Sequence, residues 1–293
     1  MNATHIPNPQ PSPQPSPQPG PQPGGQVGAQ ASPQQANRVQ KSNVVAKNSH
    51  LGHALKSEFR KMASVRGTII WAILFTGSLY GFMVLQGLFS SQPMNIEWSD
   101  LSTGLMVFIL LAVVYGASAG ASEINNRMQA HSFLTQKSRW HWLGARFILI
   151  ALFTILNYAA GVLLGLLVVA ILPKLEFTGG DIKYTVMLAL VMAGYALIAA
   201  GIAVITRSRV AGLTLPLVWM MVIENILLSV AGQYEIARVL YEWSPGHIAL
   251  DLMMNAGVEG QGPDVGHMFL VLALWVVVAT GAAFFFNWKR DVK

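Results

Sequence analysis

A chain of 293 residues that is 53% hydrophobic and only 11% charged falls well short of the ~25% charged residues usual in a soluble domain. The deficit lies in long apolar runs, which excludes an ordinary soluble globular fold and implies membrane spans. The absence of cysteine excludes disulfides and thiolate metal sites, and the net charge of +6 has to be read by its placement.

Residues 1–50 form a separate region. From Pro7 to Pro23 every second residue is proline, Gln, Ser, Asn and Gly fill the gaps, and the first cation is Arg38. Such a stretch cannot bury enough apolar surface to offset its ordering entropy, so a disordered cytoplasmic tail is expected. Prolines on a strict period of two never fall three apart, so this run has no PxxP register for a polyproline-binding partner. No apolar signal-peptide core precedes Gly67, which predicts a cytoplasmic N-terminus.

The second region, 51–293, begins with a predicted amphipathic lead-in helix over 53–66. On a helix, Leu51, Ala54, Leu55, Phe59, Met62 and Val65 share an arc of ~140° at ~100° per residue. Lys56, Arg60 and Lys61 lie outside it, the pattern of a helix resting on an anionic membrane surface. Glu58 projects into the apolar arc, where lipid would not accept it, and so calls for a protein contact.

Six apolar segments follow, near 67–89, 101–121, 145–172, 184–206, 210–232 and 267–288. Each has about the 20 residues a helix needs to cross ~30 Å of hydrocarbon. With the N-terminus inside, every Lys and Arg except Lys174, Lys183 and Arg238 falls on the cytoplasmic side. The outer loops take Glu97, Asp100, Glu176, Asp181, Glu235, Glu242, Asp251, Glu259 and Asp264. All loops obey the positive-inside rule together, which predicts an all-α protein of six spans with both termini cytoplasmic. The Gly116-x-x-x-Gly120 and Gly161-x-x-x-Gly165 pairs, and the small residues over 193–203, predict close helix packing.

Two places carry candidate chemistry. The first is 122–142, the longest cytoplasmic stretch between spans, with cations at Arg127, Lys137 and Arg139 and apolar contacts at Phe133 and Leu134. It reads either as a solvated, orientation-setting loop or as a docking surface. The second is Glu224, the one ionisable residue inside a span, ~21 Å along the fifth helix at ~1.5 Å per residue. An acidic residue at the centre of a span costs about 2.5–3.5 kcal/mol on insertion scales. It therefore reads as a substrate or cation group, or as a structural hydrogen-bond post tying spans five and six. Asn157 and Asn225 are the expected partners. The outer loop 233–266 carries a Ser244–Pro245 helix start and is expected to form short helices. The seven histidines lack ligand spacing, the methionines read as packing, and the cations are accounted for by topology, so neither a metal site nor nucleic-acid binding is predicted.

SEFRKMASVRGT, running directly into the first span, resembles the start of the bacterial type-2 ABC exporter permeases, whose lead-in helix has the form S-E-x-x-K-x-x-x-x-R before six spans. Glu58, Phe59, Lys61 and Arg66 lie in that stretch. Ser122–Glu123 resembles the family's S-E after the second span, Phe133–Leu134 an apolar pair, Arg139 a basic position, and Arg146 the basic residue opening the third span. The resemblance covers about 50–290 and departs at Arg127–Met128, where the family usually has Gly-Thr. It implies that 122–142 docks on an ATPase subunit through Glu123, Arg127, Phe133, Leu134 and Arg139. It also implies a second permease copy or paralogue, a bacterial plasma-membrane location and an exported substrate. Glu224 resembles a Glu in the fifth span of many such permeases, whatever their substrates, which favours a structural or gating role. The chain contains no Gly-Lys dipeptide and hence no GxxxxGK[ST] loop, so it is expected to be no enzyme, with ATP and Mg on the partner. The outer loops offer no recognisable polar pocket, which favours a hydrophobic or amphipathic substrate. Rival readings are a secondary transporter using Glu224 for a proton or cation, and a non-transporting assembly or immunity factor.

Overall fold

The computed structural model describes residues 51–64, 66–125, 139–255 and 262–289. The tail 1–50 lies outside the described residues. The described chain belongs to one compact unit.

The lead-in helix α1 spans Leu51–Ser64. Six helices long and apolar enough to cross a membrane follow: α2 (Arg66–Phe89), α3 (Leu105–Asn125), α4 (Arg139–Ile171), α5 (Ile182–Thr206), α6 (Arg209–Ala231) and, after two short helices, α9 (Val265–Lys289). The short ones are α7 (Glu235–Glu242) and α8 (Pro245–Asn255). With six span-length apolar helices among the described residues, the protein is a multi-pass membrane protein.

The bundle is built around α5, which is 72% buried over its most apolar stretch, against 11% for α6. α5 packs on α3, α4, α6 and α9. Lipid is as apolar as leucine, so burying apolar side chains does little to drive spans together, and close backbone approach does the work. Ala193, Gly194, Ala196, Ala199, Ala200, Gly201 and Ala203 of α5 are all buried. A Cβ on Gly116 or Gly120 of α3 would run into the backbone of Ala196 or Ala200. One on Gly201 would meet the backbone of Ala279 in α9. Gly161, by contrast, abuts only the side chain of Leu79. Between the first three spans lies an aromatic cluster in which Phe75 contacts Trp71, Phe108, Tyr115 and Phe153 at centroid distances of 4.7–6.1 Å.

Four differences from the sequence expectation matter. First, the fold is not purely helical. Met94–Glu97 (β1) pairs in parallel with Leu175–Gly179 (β2). This joins the loop after the first span to the loop after the third, and the Thr185 hydroxyl donates to the Trp98 carbonyl (3.1 Å) beside it. Both stretches are too short for a periodicity signal to stand out. Second, α3 starts at Leu105 rather than 101, because Asp100–Ser102 makes a 3₁₀ turn whose Asp100 carboxylate accepts from the Glu97 N–H (2.8 Å). Third, α4 starts at Arg139, six residues earlier than its apolar run, so the end of the 122–142 stretch is helix. The lead-in helix also differs by register: it ends at Ser64, and Arg66 opens the first span instead of closing that helix.

The turn between α5 and α6 is two residues long. Arg207 adopts the left-handed conformation (φ 53°) that ends α5, and the Ser208 hydroxyl caps α6 by accepting from the Ala211 N–H (3.2 Å). This sets Arg207 and Arg209 at the bundle end that also carries Arg66.

Candidate functional site

Two cavities hold some of the residues singled out by the sequence. The first lies at the cationic end, between α1 and the starts and ends of the spans. It measures about 400 Å³ and is lined by Glu58 and Lys61 from α1, Thr68 and Trp71 from α2, Tyr115 and Ser122 from α3, Arg146 from α4 and Arg209 from α6, among others. Ala54 and Glu58 are buried while Phe59 is 60% exposed, so α1 packs on α4 through a face that includes its acidic residue. The Lys61 ammonium donates to the Glu58 carboxylate at 2.6 Å, an i,i+3 pair within the same helix.

Arg146 holds the centre of this end. It is 8% exposed, its Nε donates to the Ala119 carbonyl at 2.6 Å, and its guanidinium also donates to the Ser122 hydroxyl. Ser122 precedes, and Arg146 follows, the segment 126–138, so this contact closes the two helices on either side of it. Arg127, Phe133 and Leu134 lie outside the described residues. Glu123 falls in the last turn of α3 and Arg139 at the first residue of α4, with nothing described of their side chains. Among the lining residues of this cavity are two of the lead-in helix, Glu58 and Lys61, and two that carry the family resemblance, Ser122 and Arg146; none of the five residues read as docking groups is among its described lining residues.

The second cavity, about 340 Å³, surrounds Glu224 and is lined by Met106, Ile109, Met220, Met221, Tyr241 and Gly246 among others. Glu224 is buried. Neither expected partner bonds it: Asn157 donates to the Phe153 carbonyl of its own helix (2.7 Å), and Asn225, exposed and also lining the cavity, donates to the Met221 carbonyl (3.0 Å). A side-chain amide bonded back to its own helix does not have to reach across the bundle. Instead, the Gly246 N–H donates to Glu224 Oε1 at 2.9 Å, and the Ser244 hydroxyl faces the same carboxylate. The Trp219 indole N–H lies near it without a well-formed hydrogen bond. Glu224 thus meets the N-terminus of α8, where free backbone donors and the helix dipole favour an anion. The connection runs from span five to the outer loop, not directly to span six.

Local backbone geometry explains why Glu224 stays buried. Gly212, Pro216 and Glu224 are buried with half-buried Met220 between them, a spacing of four. In a straight α-helix a spacing of four drifts by about 40° per step. The wide π turn at Trp219–Ile223, just after Pro216, takes up much of that drift. The outer helices have two more polar ties. The Trp275 indole of α9 donates to the Trp243 carbonyl (2.8 Å), and the His267 ring meets the Glu242 carbonyl (3.4 Å). His247, in α8, is held below the usual histidine range by burial.

Sequence reasoning missed Ser244 and Gly246 as partners of Glu224. The Ser-Pro start of α8 did mark a helix N-terminus, and an acidic residue in a neighbouring span is a natural partner for one. A scan against protein-family models and a search of curated proteins both find no match for this chain.

Proposed function

We propose that this chain is the permease subunit of an ATP-driven ABC exporter, sited in the bacterial plasma membrane with the cationic bundle end and both termini in the cytoplasm. The observation that supports this reading most is the Arg146 bond to Ser122 and Ala119. It closes the helices on either side of 126–138 and joins two stretches that resemble the permease family, the Ser-Glu after the second span and the basic residue of the third; the third such stretch, the Ser-Glu lead-in helix, packs on α4 and lines the same cavity. A stretch held at both ends in this way can pass a push from a docked ATPase into α3 and α4 together. The lead-in helix, packed on α4, would move with it. ATP and Mg would be bound by the partner. A dimer of such subunits would carry a hydrophobic or amphipathic substrate between its halves.

The test is a pull-down of the tagged protein from its native membrane after gentle extraction. A stoichiometric ATPase should co-purify, and replacing Glu123, Arg127 and Arg139 together by Ala should lose at least nine-tenths of it. If no ATPase accompanies the wild-type chain, the proposal fails. A second reading would then take its place: a secondary transporter with Glu224 as its proton or cation site. The burial of that carboxylate beside a 340 Å³ cavity favours it over a role without transport.

A further inference from the structure

We propose that the 400 Å³ cavity at the cationic end, beneath α1, binds the phosphate headgroup of an anionic phospholipid. This inference requires only that the six helices cross a membrane and is independent of the transport reading.

Four features of the cavity point to such a ligand. The first is charge. Among the described residues its lining includes three cations, Lys61, Arg146 and Arg209, and one carboxylate, Glu58, which accepts from Lys61. Arg209 is exposed and makes no hydrogen bond or ion pair with any described residue, so its guanidinium is available for bidentate contact with a phosphate. The second is hydrogen-bonding capacity: Ser118 and Tyr115 bring hydroxyls to the same wall. The third is depth. Gly67 and Thr68 belong to the first turn of α2, Ser122 to the end of α3, and Arg209 is the first residue of α6. Ends of spans lie at headgroup level, and half-buried Trp71 at the wall is a residue type favoured there.

The fourth feature separates a lipid from a soluble anion. Leu149 lines the cavity, and Leu152 and Leu156 continue along the same face of α4 as exposed side chains. Ile70 and Leu74 do the same on α2, next to Gly67 and Trp71. The cavity, with its cations, therefore opens onto apolar helix faces, which acyl chains can cover while the phosphate stays among the cations. At about 400 Å³ the cavity falls within the range of ordinary ligand sites.

The experiment is native mass spectrometry of the full chain in neutral detergent, titrated with dioleoyl phosphatidylglycerol or dioleoyl phosphatidylcholine. Phosphatidylglycerol is expected to bind at least tenfold more tightly than phosphatidylcholine. Arg209→Gln should weaken phosphatidylglycerol at least fivefold and leave phosphatidylcholine unchanged, with Arg209→Lys between. Arg238→Gln, in the outer loop, should change neither. Lys61→Gln is a second variant at an exposed position and should weaken phosphatidylglycerol in the same direction. Equal binding of the two lipids by the wild type, or Arg209→Gln and Lys61→Gln indistinguishable from it, overturns the proposal. So does displacement of the bound lipid by equimolar glycerol 3-phosphate, which would make the cavity a soluble-phosphate site.

Discussion

Gly116→Val is expected to eliminate recoverable folded protein, whereas Gly81→Ala in the first span should leave the yield unchanged and the melting temperature equal to or slightly above that of wild type. A Cβ on Gly116 would collide with the carbonyl oxygen of Ala196 and come within 2.8 Å of its C and Cα. These are backbone atoms of α5, the element on which α3, α4, α6 and α9 all pack. α5 cannot retreat, because on its far side Gly201 already lies against the Ala279 backbone. Overpacking of a tight core typically costs 1–3 kcal/mol and occasionally more. Here the clash is with rigid main chain and has to separate two helices, so the upper part of that range or beyond is expected for valine. Gly116→Ala should show a smaller fall in melting temperature in the same direction. Gly81 has nothing within 4 Å of its Cβ position, and alanine there also reduces the entropy lost on folding. Monodispersity in detergent and thermal unfolding of the three variants make the measurement. A Gly116→Val protein as stable as wild type would mean that α3 and α5 are not packed this closely.

That packing is legible in the sequence, because small residues spaced by four in an apolar run have few other uses in a membrane. The six spans are legible for a related reason: lipid demands long unbroken apolar helices, and this demand is written into every residue of the span. What stays hidden in the sequence depends on contacts between distant, short segments. Pairing of Met94–Glu97 with Leu175–Gly179 joins stretches about 80 residues apart, neither with its own periodic signal. Glu224 stands out by its charge alone, but its partners do not. Asn157 and Asn225 are the polar groups nearest in kind, yet each satisfies a donor within its own helix, and a backbone N–H such as that of Gly246 leaves no mark in the pattern of side chains. Likewise the misfit of Glu58 in an apolar arc signals that this face of α1 is not all for lipid, but its position against α4 requires the fold.

Glu224→Leu is expected to destabilise the protein by about 1–3 kcal/mol, the usual cost of leaving buried polar groups without partners. The Gly246 N–H and the Ser244 hydroxyl both face this carboxylate in a closed environment, and Ser244 is fully buried. Glu224→Gln keeps a carbonyl oxygen in place for the Gly246 N–H and adds an amide that can donate to the Ser244 oxygen, so it should melt close to wild type. Gly246→Ala approaches the same contact from the other side: its Cβ would fall on the Glu224 carboxylate and push it away from α8. It should therefore resemble Glu224→Leu. The double variant should lose little more than either single one, because both break the same interaction. Thermal unfolding of the four proteins tests the structural role, and additive losses would contradict it. Transport by the Gln variant then separates the two uses of the residue. If Gln supports both stability and transport, Glu224 serves as the post that anchors α8 to the fifth span, and the charge has no part in the cycle. If Gln is stable but the transport proposed above is lost, the proton or cation on that carboxylate is part of the mechanism.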